Sequence, residues 1–250
     1  AMNHLFWGII ASTLAGLATG LGAIPVLFPS LHALSHRLKD ELLGFAAGVM
    51  LAATAFSLLV PAIEQGGTWV TVAGVLSGAA LLDLLDRIVP HEHFEKGKEG
   101  PASKLRKIWL FVLAITLHNF PEGLAVGVSF GSKNIADGIT VAVAIGLQNI
   151  PEGLAVAVSL LGAGYSREKS FLYALLTGLV EPLGGILGVG LVSIMHAFLP
   201  FGLAFAAGAM LFVIGDEIIP ETHHGPSARY STYALLVGFV VMMGLDTVFG

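Results

Sequence analysis

The sequence predicts an all-α integral membrane protein: a bundle of eight transmembrane helices in one domain, 1–250. Three observations predict it. Of the 250 residues, 55% are hydrophobic and only 12% charged, with mean hydropathy +0.84, whereas soluble domains carry about 25% charged residues. The apolar residues fall into runs long enough to cross a hydrocarbon core, which takes about 20 residues of helix. The cationic residues gather in alternate connections between those runs, as cytoplasmic loops do.

In chain order, the first span, 5–28, has no basic region before it and exceeds the core of a signal peptide, so it reads as a true span. Its GLATGLGA run lets a neighbouring helix approach closely. The second and third spans cover 42–63 and 69–89. The longest connection, 90–107, is rich in His, Glu and Lys with Gly and Pro, the composition of a loop. The fourth and fifth spans, 108–131 and 138–161, carry near-copies of one motif, HNFPEGLAVGVSF from His118 and QNIPEGLAVAVSL from Gln148. The sixth, 170–195, contains EPLGGILGVG, again rich in small residues. The seventh and eighth are 201–219 and 231–249, and no soluble domain fits between any two spans.

With the N-terminus outside, the inner connections are 29–41, 90–107, 162–169 and 220–230. They and their flanks hold every Lys and Arg except Lys133, that is 12 − 1 = 11 of 12. The opposite orientation would invert the bias, so both termini are expected to be extracytoplasmic. A net charge of −5 leaves no basic face and argues against nucleic acid as a partner. With no cysteine there is no disulfide framework, and a metal would have to be held by nitrogen and oxygen.

Glu122, Glu152 and Glu181 lie near the midpoints of the fourth, fifth and sixth spans. An acidic residue at that depth costs about 2.5–3.5 kcal/mol on insertion scales, so something must offset three of them. Each adjoins a proline: Pro121, Pro151 and Pro182. Proline frees or displaces the carbonyl four residues back, here those of Leu117, Leu147 and Gly178. Irregular backbone at membrane depth is tolerated where it lines a cavity. Carboxylates and disturbed helices at one depth therefore predict a polar site inside the bundle, between helices 4, 5 and 6. His118 and Glu122 are four apart and share a helix face, and Gln148 and Glu152 repeat that geometry. Asn119 and Asn149 lie beside them. One imidazole, three carboxylates and three amides suit Zn²⁺, Fe²⁺ or Mn²⁺ without selecting strongly among them. A bound divalent cation would offset most of the cost of the carboxylates.

HNFPEG, QNIPEG and EPLGG, with GFAAGVMLAATAFSLLVP and PHEH, resemble the ZIP (Zrt-/Irt-like protein) family of divalent-metal transporters, in particular its bacterial GufA-like branch. The resemblance runs from the first span to the last. It implies a metal site on His118, Asn119, Glu122, Gln148, Asn149, Glu152 and Glu181. His118, Glu122, Gln148 and Glu152 would form a primary site, and Asn119, Asn149, Glu152 and Glu181 a second one beside it. Close relatives often carry Asp where this chain has Asn149. The resemblance also implies import into the cytosol, with Zn²⁺ (or Cd²⁺, Fe²⁺, Mn²⁺) as transported substrate and no catalytic cofactor. It implies an inverted repeat of the first three and last three helices, an elevator-like cycle of one bundle against another, a homodimer, and the bacterial inner membrane as location.

Plainer readings stand beside these. His118 alone would be a buried histidine bonded to a carbonyl, and Asn119, Gln148 and Asn149 would be hydrogen-bonding links between helices. Glu64 and Asp246, at the outer ends of the second and eighth spans, are candidates for an entrance, or else solvated interfacial charges. His91, His93, Asp216, Glu217, Glu221 and His223 on the inner side are candidates for a cytoplasmic exit, or else a polar rim. Met50 and Ser57 read as core packing. A membrane metalloprotease would be expected to show H-E-x-x-H, which is absent, and di-iron sites use Glu-x-x-His where this chain has His-x-x-x-Glu. The expected function is transport and not catalysis, with a metal-selective channel as the alternative.

Overall fold

The apolar runs form helices in the computed structural model, which describes residues 2–29, 35–89, 91–93, 97–99, 107–131, 135–223 and 225–249. The helices are α1 (Met2–Ala23), α2 (His36–Ala52), α3 (Val60–Ile88), α4 (Lys107–Ser129), α5 (Ile135–Gly162), α6 (Arg167–Gly178), α7 (Glu181–Ile194), α8 (Leu199–Val213), α9 (Ile219–Thr222) and α10 (Ala228–Phe249). Two short strands, β1 (His91–His93) and β2 (Gly97–Glu99), pair antiparallel. The 90–107 connection therefore contains a hairpin, a small correction to an all-α reading; its other residues up to Arg106 lie outside the described ones.

Helix starts and breaks follow local chemistry. Ser35 and Ser166 cap α2 and α6, each hydroxyl accepting from a backbone N–H three residues on, which satisfies one of the donors a helix start leaves free. From Arg37 to Ile88 the apolar run is 52 residues long, more than twice what one crossing takes. It bends where Gly67 takes φ 74°, a left-handed conformation that glycine adopts without steric cost. This break divides the second expected span from the third. Two wide turns of π-helix join α2 to α3 (Ala53–Leu59) and α8 to α9 (Ile214–Ile218). Each ends two residues before a proline, Pro61 and Pro220, and the wider turn relieves the clash of that ring with the preceding turn.

Six stretches among the described residues are long and apolar enough to cross a membrane: His4–Leu27, Arg37–Ile88, Ile135–Gly162, Arg167–Ile194, Leu199–Thr222 and Gly225–Val248. The protein is thus a multi-pass membrane protein. Large side chains such as Trp69, Leu76, Leu183 and Val240 are exposed on the outside of the bundle, where lipid tails are their solvent.

The helices divide into two bodies. One contains α1, α4, α5, α6 and α7; the other contains the pairs α2–α10 and α3–α8, joined through the π-helical turn between α2 and α3, and the two bodies meet where α2 packs on α5 and α4 on α8. Glycine makes the division visible. A Cβ on Gly48 would sit 1.9 Å from the Leu235 carbonyl oxygen, one on Gly78 2.0 Å from that of Phe205, and one on Gly22 1.9 Å from that of Ile150. No side chain fits at such a distance, so the backbones touch directly, as small residues allow in membranes. Among the described residues, each glycine whose Cβ would strike another helix's backbone within 3 Å does so inside one body. Across the boundary, among the described residues, the one glycine contact is Gly202, whose Cβ would meet the Val128 side chain, not backbone, at a tight 3.1 Å.

Candidate metal centre

Helix α4 carries His118, Asn119 and Glu122, α5 carries Gln148, Asn149 and Glu152, and Glu181 opens α7. All seven are buried, and Gln148, Asn149 and Glu181 are 0% exposed. The i, i+4 spacing aims each α4 and α5 set from one face, as expected. The prolines act differently from one another. Helices α4 and α5 run through Pro121 and Pro151 without interruption, so the expected disruption there is not a break. The sixth span does break. It stops at Gly178, and Glu181–Pro182 forms the first turn of α7. Proline suits that position because its missing N–H would have no helical partner there, and a carboxylate is favoured at the positive end of the helix dipole.

The glycine of each PEG explains how the helices converge. A Cβ on Gly123 would meet the Glu181 carbonyl oxygen at 2.0 Å, and one on Gly153 the Thr19 carbonyl oxygen at 1.9 Å. One residue after each glutamate, the backbone of α7 or α1 lies directly against the helix. The three carboxylates are thereby drawn into one buried region.

Inside it the polar groups pair with each other. The Gln148 amide donates to Glu122 Oε1. Asn149 Nδ2 donates to Glu181 Oε1 at 2.6 Å and to the Ala15 carbonyl at 2.8 Å. His118 Nε2 meets Glu217 Oε2, 99 positions along the chain. Among the described residues no three His, Asp or Glu side chains are already drawn together as a finished chelate. What is left over is the Asn119 Nδ2 donor and five oxygens. Glu122 Oε2, Glu181 Oε2, Gln148 Oε1, Asn149 Oδ1 and Asn119 Oδ1 are buried and have no hydrogen-bond partner. A buried acceptor left unmet costs about 1–3 kcal/mol, and more when charged. Five in one region, on residues singled out as metal ligands, are a donor set for a hard or borderline cation.

A narrow cavity of about 30 Å³ adjoins this cluster, lined by His118, Glu152, Glu217 and Glu221 with Leu43, Ile115 and Val156 among its apolar walls. It has room for a water-sized species. Two of the candidate exit residues, Glu217 and Glu221, thus line one cavity with His118. Asp216 is half-buried on the π-helical turn beside Glu217 but does not line the cavity. His223 Nδ1 bonds the Thr222 hydroxyl at 2.8 Å. Asp86 is buried near the end of α3. The side chains of His91 and His93 lie outside the described residues.

At the opposite end, Asp246 accepts from the Ser57 hydroxyl at 2.6 Å, and both line a cavity of about 90 Å³ with Asp137 and Thr140. Glu64 is exposed and outside that cavity. Ser57 binds a carboxylate and is not simple packing; the available signal was a hydroxyl inside the apolar run AFSLLV. Met50 is packed in the core, as read from the sequence. Asp137 and Thr140 were missed. Asp137 stands one residue before the expected start of its span and so looked like a boundary charge.

A family model described as "ZIP Zinc transporter" matches residues 89–246. The zinc transporter GufA of Myxococcus xanthus is 48% identical, over 97% of this chain and 99% of its own length. The zinc transporter ZIPB of Bordetella bronchiseptica is 42% identical, over 99% of this chain and 82% of its own. The zinc transporter ZIP11 of Homo sapiens is 36% identical, over 86% and 90%.

Proposed function

Since the chain belongs to the ZIP zinc transporter family, we propose that it carries zinc, and with it Cd²⁺, Fe²⁺ or Mn²⁺, into the cytosol through a site built on His118, Asn119, Glu122, Gln148, Asn149, Glu152 and Glu181. Family membership makes it a transporter and not an enzyme. The observation that carries the site assignment is the set of five buried, unpartnered oxygens on five of those seven residues. The metal is substrate: it takes oxygens that cost free energy while unmet and leaves toward Glu217 and Glu221. Asp246 with Ser57 marks the other end of the route, and Glu64 stands outside it.

An alternating-access carrier is favoured by the two bodies. Backbone-to-backbone glycine contacts tie the first body together and pair α2 with α10 and α3 with α8 in the second, while among the described residues none crosses the boundary, so relative displacement of the bodies leaves those closest contacts intact. All seven site residues ride on one body, and Glu217 sits on the π-helical turn that follows α8 of the other. A displacement of one against the other would part His118 from Glu217. Eight crossings follow if α4 spans and the Arg37–Ile88 run passes twice, about Gly67. We assign the protein to the bacterial inner membrane as a homodimer with both termini outside.

Uptake by purified protein in sealed vesicles tests the function. Zinc uptake that saturates, and that the other divalent ions inhibit by competition, is the expected result. Flux that rises without saturation would replace the carrier with a channel, and no flux of any of the four ions would sink the reading. Orientation has its own test, because the chain has no cysteine. Single cysteines at the C-terminus and in the 90–107 loop should be labelled by an impermeant reagent from outside and from inside respectively. Labelling of the loop in intact cells would reverse the assignment.

A further inference from the structure

Two apolar cavities open on the membrane-facing surface and share Ile139 and Val143 of α5. One, of about 280 Å³, reaches across to Trp7 and Leu14 of α1; the other, of about 380 Å³, reaches to Leu245 of α10. Together they form a groove along α5 from Ala136 to Gly146. Ten residues of helix rise about 15 Å, which is half of a hydrocarbon core about 30 Å thick, so the groove is one leaflet deep. Its size reaches that of ordinary ligand pockets, which start at about 300 Å³. Ile139 and Val143 are 52% and 46% exposed and, four apart, stand on one face. They look out at lipid.

The mouth of the groove is not apolar. Thr140 lines both the larger cavity and the polar one that holds Asp137, Asp246 and Ser57. A hydrocarbon channel of single-leaflet depth therefore ends at two carboxylates, on the end of the bundle where α5 begins and α10 stops. We propose that this groove is a binding site for one acyl chain of a phospholipid whose headgroup carries an ammonium, a phosphatidylethanolamine, with the ammonium at Asp137 and Asp246. An anionic headgroup would place like charge against them. Helix α5 belongs to one body and α10 to the other, so a chain seated here touches both sides of the moving boundary. Its ammonium also stands where an arriving metal cation would, and the two compete there.

The test reads lipid directly and does not depend on which ion is carried. Wild-type protein is reconstituted in nanodiscs of equal phosphatidylethanolamine and phosphatidylglycerol, re-extracted in mild detergent, and its retained lipid is weighed by native mass spectrometry. About one phosphatidylethanolamine per chain should persist, with at least a tenfold preference over phosphatidylglycerol. Val143→Trp fills the groove and should abolish retention of both lipids. Asp137→Asn alters only the mouth and should reduce the preference several-fold while a lipid is still retained; it keeps the test decisive if the tryptophan variant fails to fold. Retention in the proportions of the bulk mixture would overturn the site. So would a Val143→Trp chain that keeps its lipid but changes oligomeric mass, since the groove would then be an interface between copies.

Discussion

Glu152→Gln should reduce zinc uptake by about 10- to 100-fold while leaving the protein folded. Glu152 lies with His118 and Glu217 on the wall of the small cavity, where the buried cluster opens toward Glu221. It is the carboxylate that both halves of the proposed site would share and that would also face the proposed exit. Glutamine keeps the volume and removes the charge, so a cation loses a charge-assisted contact worth about 1.5–3 kcal/mol, and about 1.4 kcal/mol is a factor of ten. Removing a buried charge lowers the desolvation cost of the empty protein, so the variant's thermal stability without metal should be no lower than wild type. Initial zinc uptake rates and a melting curve in chelator measure both halves of the expectation. Uptake at the wild-type rate would remove Glu152 from the path.

The second large effect belongs to Asn149→Asp. Read from sequence, the substitution simply supplies the carboxylate that relatives often have there, and would move the protein from one bound ion toward two. The structure sharpens that. Asn149 Nδ2 donates both to Glu181 Oε1 and to the Ala15 carbonyl. Aspartate loses both bonds and sets a carboxylate against a carboxylate and a carbonyl oxygen. An uncompensated buried charge costs about 3–5 kcal/mol, so the variant should melt well below wild type in chelator. Zinc should then restore more stability than it adds to wild type, because ligand bound only by the folded state stabilises it by mass action. Metal content per chain should rise. Equal melting of the two proteins in chelator would show that the amide is not holding α1 and α7 to α5.

Glu217 changes the charge balance behind that expectation. Counting only Glu122, Glu152 and Glu181, a pair of divalent ions leaves the site net positive. Glu217 on His118 adds a fourth carboxylate at the edge of the cluster. The sequence offered it as an exit residue on the seventh span and had no means of placing it at the imidazole.

The burial of seven polar side chains inside the bundle was legible because its signals are local. A proline and a carboxylate together inside an apolar run, an i, i+4 partner, and a second copy thirty residues on are all visible along the chain. Helical periodicity converts such spacing into a shared face without reference to any other helix. The same holds for the apolar runs and the Lys and Arg bias, which rest on the cost of moving side chains into hydrocarbon one segment at a time.

What the sequence determined by itself was therefore the membrane class, the approximate segments, and which side chains of α4, α5 and the start of α7 are costly to bury without a cation. Only the tertiary structure decided which of those groups satisfy one another. Pairings such as His118 with Glu217 and Ser57 with Asp246 join residues 99 and 189 positions apart. Glycines at Gly48, Gly123 and Gly153 allow close approach, but the partner backbone that uses it lies on another helix. The same is true of the break before Glu181 and of the boundary between the two bodies. Burial cost and helical periodicity act within a segment, whereas hydrogen bonds and backbone contact between helices depend on which distant segment packs alongside.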